Sequence, residues 1–429
     1  MKLNFNLLKI VHVNNAFPGI GTAASVLQLN KALRKIGVDS VLLSHELSSN
    51  DDGIVPLESS KLFTAKLKAF QLLEKTMVLP HKKKSVQSGE FTKASFGVDI
   101  SDHPEFQDAD IIHLHEIHDG FLSLKGLQKL LEKGKPVVWT LYDMWPFTGG
   151  CHFAGTCLEF LEKCAFCPYL LKPGKNDIAA RQFIFKKRLY SKVNIFPVAG
   201  SRWLRSLSSE SSLFRNKHID VIPQPVDVEY FKIMDKKSSR EVLGLPQDKK
   251  LLLFCASGIS DLKKGARYLI EALNILIDSF PVFKENVELV VTGKIPPGVK
   301  NNIPLRIRKI NRNAGDDTDV LTFNAADAFV LPSVQEIMPS IITDAMSCGT
   351  PVIAFRTGSM PDVIMHKQSG FLAEIKNSLS LATGIYETLF LSDLEEMGKV
   401  AREIILKEFA EDVVAKKYLD VYENILNSR

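Results

Sequence analysis

Ala326-Asp-Ala-Phe-Val-Leu-Pro-Ser333, then Glu336-Ile-Met-Pro-Ser-Ile-Ile-Thr-Asp344-Ala-Met-Ser-Cys-Gly-Thr-Pro-Val352, then Thr357-Gly-Ser-Met-Pro-Asp362 is the stretch whose reading decides the fold. Residues 328–331 are a short apolar run closed by Pro332, the pattern of a buried parallel strand. Ser340 is placed to cap a helix running to Met346. Gly349 stops that helix ahead of a second buried strand at 351–355. One strand-loop-helix turn therefore carries two acids, Glu336 in its loop and Asp344 on its helix. Most acids are simply solvated. A helix N-terminus after a parallel strand, however, attracts anionic and polyhydroxylated ligands through unpaired N–H groups and the helix dipole.

The same alternation extends in both directions. Upstream, the apolar strand 251–255 leads through Ala256-Ser257-Gly258 to Lys263-Lys264-Gly265 and a helix at 267–277 with Leu269, Ala272, Leu273 and Leu276 on one face. Two lysines at the start of a helix suit phosphate oxygens, although a lysine pair can equally be a solvated surface feature. The chain opens with a strand at 8–13, a loop containing Gly19 and Gly21, a helix with Val26, Leu29, Leu33 and Ile36 inward, and a strand at 41–43. This βαβ start predicts a parallel sheet covered on both faces. Two glycines alone can mean only a tight turn.

At 110–118 the strand pattern carries His113 and His115. Their alternation puts both rings on one sheet face near the strand's C-terminal end, where open α/β sheets bind ligands. A metal pair and a hydrogen-bonded pair are both open, and the second is the commoner use of histidine. The strand at 137–141 runs into Tyr142-Asp143-Met144-Trp145. Four cysteines follow: Cys151, Cys157, Cys164 and Cys167. The tight Cys-x-x-Cys pair suits tetrahedral zinc completed by the outer two; packed thiols or disulfides are the alternatives.

Residues 57–96 interrupt the alternation. Leu62, Phe63, Leu67, Phe70, Leu73 and Met77 form an apolar stripe beside Lys61, Lys66, Lys68, Lys75 and Lys82-Lys83-Lys84. The segment reads as a helix packed on the sheet with a solvated basic face, or as one that lies on an anionic bilayer.

Bulk properties bound the rest. A chain of 429 residues with 45% hydrophobic and 24% charged residues fits two ordinary domains. Its net charge of +5 favours anionic partners mildly and is too small to argue for nucleic acid. No run approaches the ~20 apolar residues of a membrane span. No signal-peptide pattern is evident, so the chain is expected in the cytoplasm with reduced cysteines.

The acids with Pro339, Gly349 and Pro351 resemble the E-x7-E segment of retaining glycosyltransferases of family GT4. Lys264-Gly265, the His-x-His-Glu run and the segment around Trp139-Thr140-Leu141-Tyr142-Asp143 are similar to that family too. The last resembles a subgroup of bacterial polysaccharide-assembly enzymes. The resemblance implies a GT-B fold of two doubly wound Rossmann-like α/β domains facing a cleft. It divides the chain into an acceptor-side domain at 1–215, a nucleotide-sugar domain at 216–405, and a C-terminal helix at 406–429 packing back on the first.

The function so implied is metal-independent hexosyl transfer, with retention, from a UDP- or GDP-sugar to a glycan or lipid-linked acceptor. A non-catalytic subunit of the same fold is the alternative. Glu336, His115 and Lys264 become the catalytic candidates. Gly19, Gly21, Lys263, Ile337, Met338, Pro339, Ser340 and Asp344 become donor-binding candidates. Asp344 replaces the usual Glu, Tyr142 replaces a histidine, and the family's Arg just upstream of the lysine is missing. Tyr142 is still expected to donate a hydrogen bond to a sugar hydroxyl.

Overall fold

The computed structural model describes residues 8–15, 21–44, 53–58, 60–83, 91–255, 264–293, 295, 297–311 and 317–428. It divides into two units, 1–225 with 412–429, and 226–411. The first is built on β1 (Lys9–Val13), β2 (Asp39–Ser44), β3 (Ile54–Pro56), β4 (Ile111–Leu114), β5 (Val137–Leu141), β6 (Ile195–Ala199) and β7 (Asp220–Val221). These form one parallel sheet in the order β3-β2-β1-β4-β5-β6-β7. The second holds β8 (Lys250–Cys255), β9 (Val287–Thr292), β10 (Ile307–Ile310), β11 (Ala328–Leu331), β12 (Val352–Phe355) and β13 (Gly370–Ala373), ordered β10-β9-β8-β11-β12-β13. In both sheets the order reverses beside the first strand, which opens a crevice at the strands' C-terminal ends.

The central strands are buried along almost their whole length, as parallel strands covered by helices on both faces must be. In the first unit, α1 (Thr22–Lys35) buries Val26, Leu29 and Leu33. The opposite end of the chain returns to this unit. Helix Glu411–Asn427 inserts Val414, Tyr418, Val421, Tyr422 and Ile425 into the core that also holds Ile10, Leu29, Ile111 and Val138. In the second unit, the helix Ala266–Ser279 buries Leu269, Ala272, Leu273 and Leu276 against β8 and β9.

Helix α2 (Lys61–Val78) departs from its expected stripe. Phe63, Leu67, Glu74 and Val78 are buried, whereas Leu62, Leu72, Leu73 and Met77 are exposed. Ser60 caps the helix by accepting from the Phe63 N–H. Glu74 explains the rotation of the packed face. Its carboxylate accepts the backbone N–H groups of Ser95 and Phe96 at 2.9 and 3.2 Å, so an acid takes a place the apolar pattern would give to Leu73. Lys84 lies outside the described residues.

Candidate active site

In the second unit, the loop between β11 and α4 (Ser340–Ser347) carries Glu336, Ile337, Met338 and Pro339, all half-buried. Two glycines hold this loop in place. Gly265, at φ +68°, precedes α3 (Ala266–Ser279), and a Cβ there would stand 1.8 Å from the Pro332 carbonyl oxygen. Gly358, at φ +53°, backs onto Glu336 itself, with 1.8 Å from a Cβ to the Glu336 carbonyl oxygen. Only glycine permits either approach at that backbone angle. The loop is thus clamped between the start of α3 and the turn after β12.

The clamp brings Lys264 and Glu336 together, with Nζ 2.5 Å from Oε1. Lys264 precedes the α3 N-terminus, so its charge and the helix N–H groups share one location. Helix α4 begins at Ser340 with Pro339 as N-cap and no side-chain cap. Ser340 therefore does not cap the helix as its position suggested. It is the first helical residue, and the proline before it supplies the extended backbone that ends the loop. Asp344 lies one turn in, half-buried on the same helix. Lys263 and Gly19 lie outside the described residues; Gly21 is the N-cap of α1 at φ +58°.

In the first unit, the parallel register sets His12 on β1 beside His113 on β4, and alternation adds His115 on the same face. The three rings lie 4.1 to 5.2 Å apart, centroid to centroid. Every ring nitrogen has a partner. His113 meets Tyr422 and Thr140, each at 2.7 Å; His12 meets His115 at 2.9 Å and Ser40 at 3.0 Å; His115 also meets the Tyr142 hydroxyl at 3.1 Å. Burial holds all three well below the usual histidine range, His12 at about 3. The ligand atoms are close enough for a metal. Yet the closed hydrogen bonding and neutral rings describe a polar network in the core. His115, 2% exposed and bonded at both nitrogens, reaches a ligand only through Tyr142.

A second polar cluster adjoins it. Asp143 Oδ2 lies 2.5 Å from His152 Nδ1 and 3.5 Å from His118 Nε2, and Asp119 Oδ2 lies 3.4 Å from His118 Nδ1. Burial opposes the charge on His118, but the two carboxylates outweigh it and push the ring up to about 10. Glu116, raised by burial, accepts from the Thr22 hydroxyl at 2.8 Å. Lys186 is wholly buried under this segment. It donates to the Trp145 and Thr148 carbonyls and sits 3.5 Å from the Trp145 ring centroid, fixing the turn that follows Tyr142.

The four cysteines are free thiols, and all four line one small cavity with Phe91, Phe160 and Tyr169. Cys164 accepts from the Gly149 N–H, the Tyr169 amide faces the Cys167 sulfur, and the Leu170 N–H donates to the Cys167 carbonyl at 3.1 Å. Burial nonetheless pushes Cys151 up to about 12 and Cys167 to about 11. Cys164 and Phe166 adopt positive φ, which turns the Cys-x-x-Cys segment tightly. Among the described residues, the side-chain groups whose ligand atoms fall within 4.8 Å of one another are histidines and carboxylates, not these thiols.

Sequence reasoning missed His12, Ser40, Asn30 and the Asp143–His118–Asp119 cluster. A lone histidine inside an otherwise apolar strand, Lys9–Val13, was the available signal for His12. The others depend on pairings across the sheet that no local pattern encodes.

Residues 249–389 match the family model described as "Glycosyl transferases group 1". The chain is 24% identical over 336 residues to the "Putative colanic acid biosynthesis glycosyl transferase WcaC" of Escherichia coli (strain K12), covering 73% of this chain and 76% of that protein. Among solved structures it resembles a glycosyltransferase from Rickettsia africae ESF-5, at TM-score 0.66, 16% identity and coverage of 99% and 100% of the two chains. It also resembles Anabaena Alr3699/HepE, solved in complex with UDP-glucose, at TM-score 0.60, 16% identity and coverage of 98% and 100%. The fold is GT-B, two Rossmann-like units with parallel sheets. The chain is similar to glycosyltransferases both in this matched segment and along most of its length.

Proposed function

We propose that the protein is a retaining, metal-independent hexosyltransferase. It moves a sugar from a UDP- or GDP-sugar to a hydroxyl of a glycan or lipid-linked acceptor in cell-surface polysaccharide assembly. The observation that carries this reading is the Lys264–Glu336 pair at the start of α3, 2.5 Å apart. A cation and a helix N-terminus suit a diphosphate leaving group, and an adjacent carboxylate suits sugar hydroxyls. The donor would divide the pair, with phosphate taking Lys264 and a hydroxyl taking Glu336. Backbone amides from Ile337 to Ser340 would hold the sugar, and Asp344 the ribose hydroxyls. In a front-face displacement the departing phosphate oxygen accepts the acceptor's proton, so no carboxylate nucleophile is required. Nothing in the comparisons favours the non-catalytic alternative. The test is a thermal-shift screen of UDP, GDP and their glucose conjugates, followed by donor hydrolysis. A ligand that binds the folded state must raise its Tm, and absence of any shift would refute the reading.

Two further assignments belong to this reading. Structural zinc on Cys151, Cys157, Cys164 and Cys167 is supported by their shared cavity and the N–H groups facing sulfur. The sulfurs would close around the metal as thiolates, and the site would brace the segment after Tyr142 without chemistry. Peripheral contact with an anionic cytoplasmic membrane face is supported by exposed Leu62, Leu72, Leu73 and Met77 beside exposed Lys61, Lys66, Lys68 and Lys75 on α2. No helix among the described residues is long and apolar enough to cross a membrane. Binding to phosphatidylglycerol vesicles, lost in Leu72→Asp/Leu73→Asp, is the expected behaviour.

A further inference from the structure

The buried hydrogen bonds of the first unit form a chain with one end of fixed polarity. The Gly53 backbone carbonyl can only accept, so the Asn30 Nδ2 contact at 3.1 Å orients the amide. Asn30 Oδ1 is then an acceptor, and it takes the Ser40 hydroxyl proton at 2.7 Å. Having donated its single proton, Ser40 Oγ must accept from His12 Nε2 at 3.0 Å. A neutral imidazole carries one N–H, so His12 presents a bare Nδ1. His115 Nε2 is therefore the donor across 2.9 Å. By the same rule His115 has a bare Nδ1, and the Tyr142 hydroxyl at 3.1 Å donates to it. The depressed titration of His12 and His115 keeps both rings neutral near pH 7.

We propose that this one-way chain makes Tyr142 an obligate hydrogen-bond acceptor towards any ligand at the C-terminal edge of the first sheet. Tyr142 then selects a ligand group that donates, a sugar hydroxyl or an amide N–H, and discriminates against phosphate, carboxylate and ether oxygens. His115, His12, Ser40 and Asn30 are positioning residues that set the direction of one proton. The polarity reverses the expectation that Tyr142 donates to a sugar. The ligand class rests on the nucleotide-sugar reading above; the polarity does not.

Imidazole ¹⁵N shifts of the full-length, ligand-free protein between pH 6 and 8 test the polarity directly. His12 and His115 should both be neutral and protonated at Nε2. A proton on Nδ1 of His115, or a charged ring, overturns the proposal. In Ser40→Ala, which removes the link that aims the chain, His115 should lose its single tautomer. A folded variant with an unchanged His115 tautomer would also overturn it, and if the variant fails to fold the wild-type shifts decide.

For the ligand half, UDP-glucose is compared with its monodeoxy and monodeoxyfluoro analogues on wild type and Tyr142→Phe. At one sugar position both analogues should lose about tenfold in affinity on wild type and nothing on Tyr142→Phe. Fluorine accepts but cannot donate, so retained affinity for the fluoro analogue would show that Tyr142 donates and sink the proposal. Coupling at no position would remove Tyr142 from the sugar. Failure of UDP- and GDP-glucose alike to bind would count against the nucleotide-sugar reading, with the tautomers still deciding the polarity.

Discussion

Lys264 Nζ and Glu336 Oε1 are joined at 2.5 Å, across 72 residues of sequence, so each is the other's counter-ion before any donor arrives. The two residues should consequently fail in different ways. Glu336→Ala frees the lysine and should bind nucleoside diphosphate at least as tightly as wild type, while sugar transfer falls by roughly the 1.5–3 kcal/mol of a charged hydrogen bond. Lys264→Ala should weaken the diphosphate and leave the nucleoside alone unaffected. Calorimetry with both ligands checks this, and near-normal turnover by folded Glu336→Ala would remove the acid from the sugar.

The Asp344 carboxylate stands one methylene closer to the α4 backbone than a glutamate's would. A bridging water can fill such a gap at little cost. Asp344→Glu should be tolerated or improve nucleotide affinity, and Asp344→Ala should lose about 1–3 kcal/mol. A 2′,3′-dideoxy nucleotide removes the partner hydroxyls and spares the protein. Equal losses on wild type and Asp344→Ala would show that the acid does not touch the ribose.

Gly358→Ala places a methyl group 1.8 Å from the Glu336 carbonyl oxygen at φ +53°. The backbone angle alone costs about 1 kcal/mol, and the clash must move the Glu336 loop as well. The expected outcome is a lowered Tm together with a larger fractional loss of transfer than of nucleoside diphosphate binding.

Elemental analysis of the purified chain should give one zinc per molecule. Cys164→Ser should then lose the metal and melt earlier. Zero zinc with unchanged melting of Cys164→Ser would leave only packed thiols.

His118 supplies a pH signature. Its ring is raised from 6.5 to about 10 in the folded state, so its contribution to stability is full below pH 6.5 and is lost as pH rises towards 10. The slope cannot exceed about 1.4 kcal/mol per pH unit. Asp119 and Asp143 are held below the carboxylate range despite burial, through their contacts with His118 and His152. Their contribution is present above about pH 4 and lost in acid. Urea midpoints should decline from about pH 7.5 to 10, above the range in which the depressed His12, His113 and His115 act in the opposite sense, and Asp143→Asn should flatten that decline. A flat wild-type profile would show that His118 is not charged in the fold.

The strands and main helices were legible because buried parallel strands and amphipathic helices announce themselves in apolar spacing. Ala328–Leu331 and Val352–Phe355 are where the runs closed by Pro332 and opened by Pro351 place them. The Lys264–Glu336 contact was not legible as a contact, since it depends on Gly265 and Gly358 admitting a backbone that any other residue would push away. His115 could be put on a sheet face, but its partner His12 arrives from another strand. The polarity of its bonds is decided as far off as Gly53. The outward leucines of α2 were misjudged because the packed face carries a buried carboxylate, Glu74, held by the Ser95 and Phe96 amides, which an apolar pattern does not reveal.

Tyr418 and Tyr422 bond to Thr140 and His113 in the heart of the first unit. During translation those strands leave the ribosome long before the tyrosines that complete their interior. Residues 226–411 must all be synthesised in the interval. The first unit is therefore finished only after the second has been made, and a chain stopped before residue 411 would expose unsatisfied histidine and threonine groups where helix Glu411–Asn427 belongs.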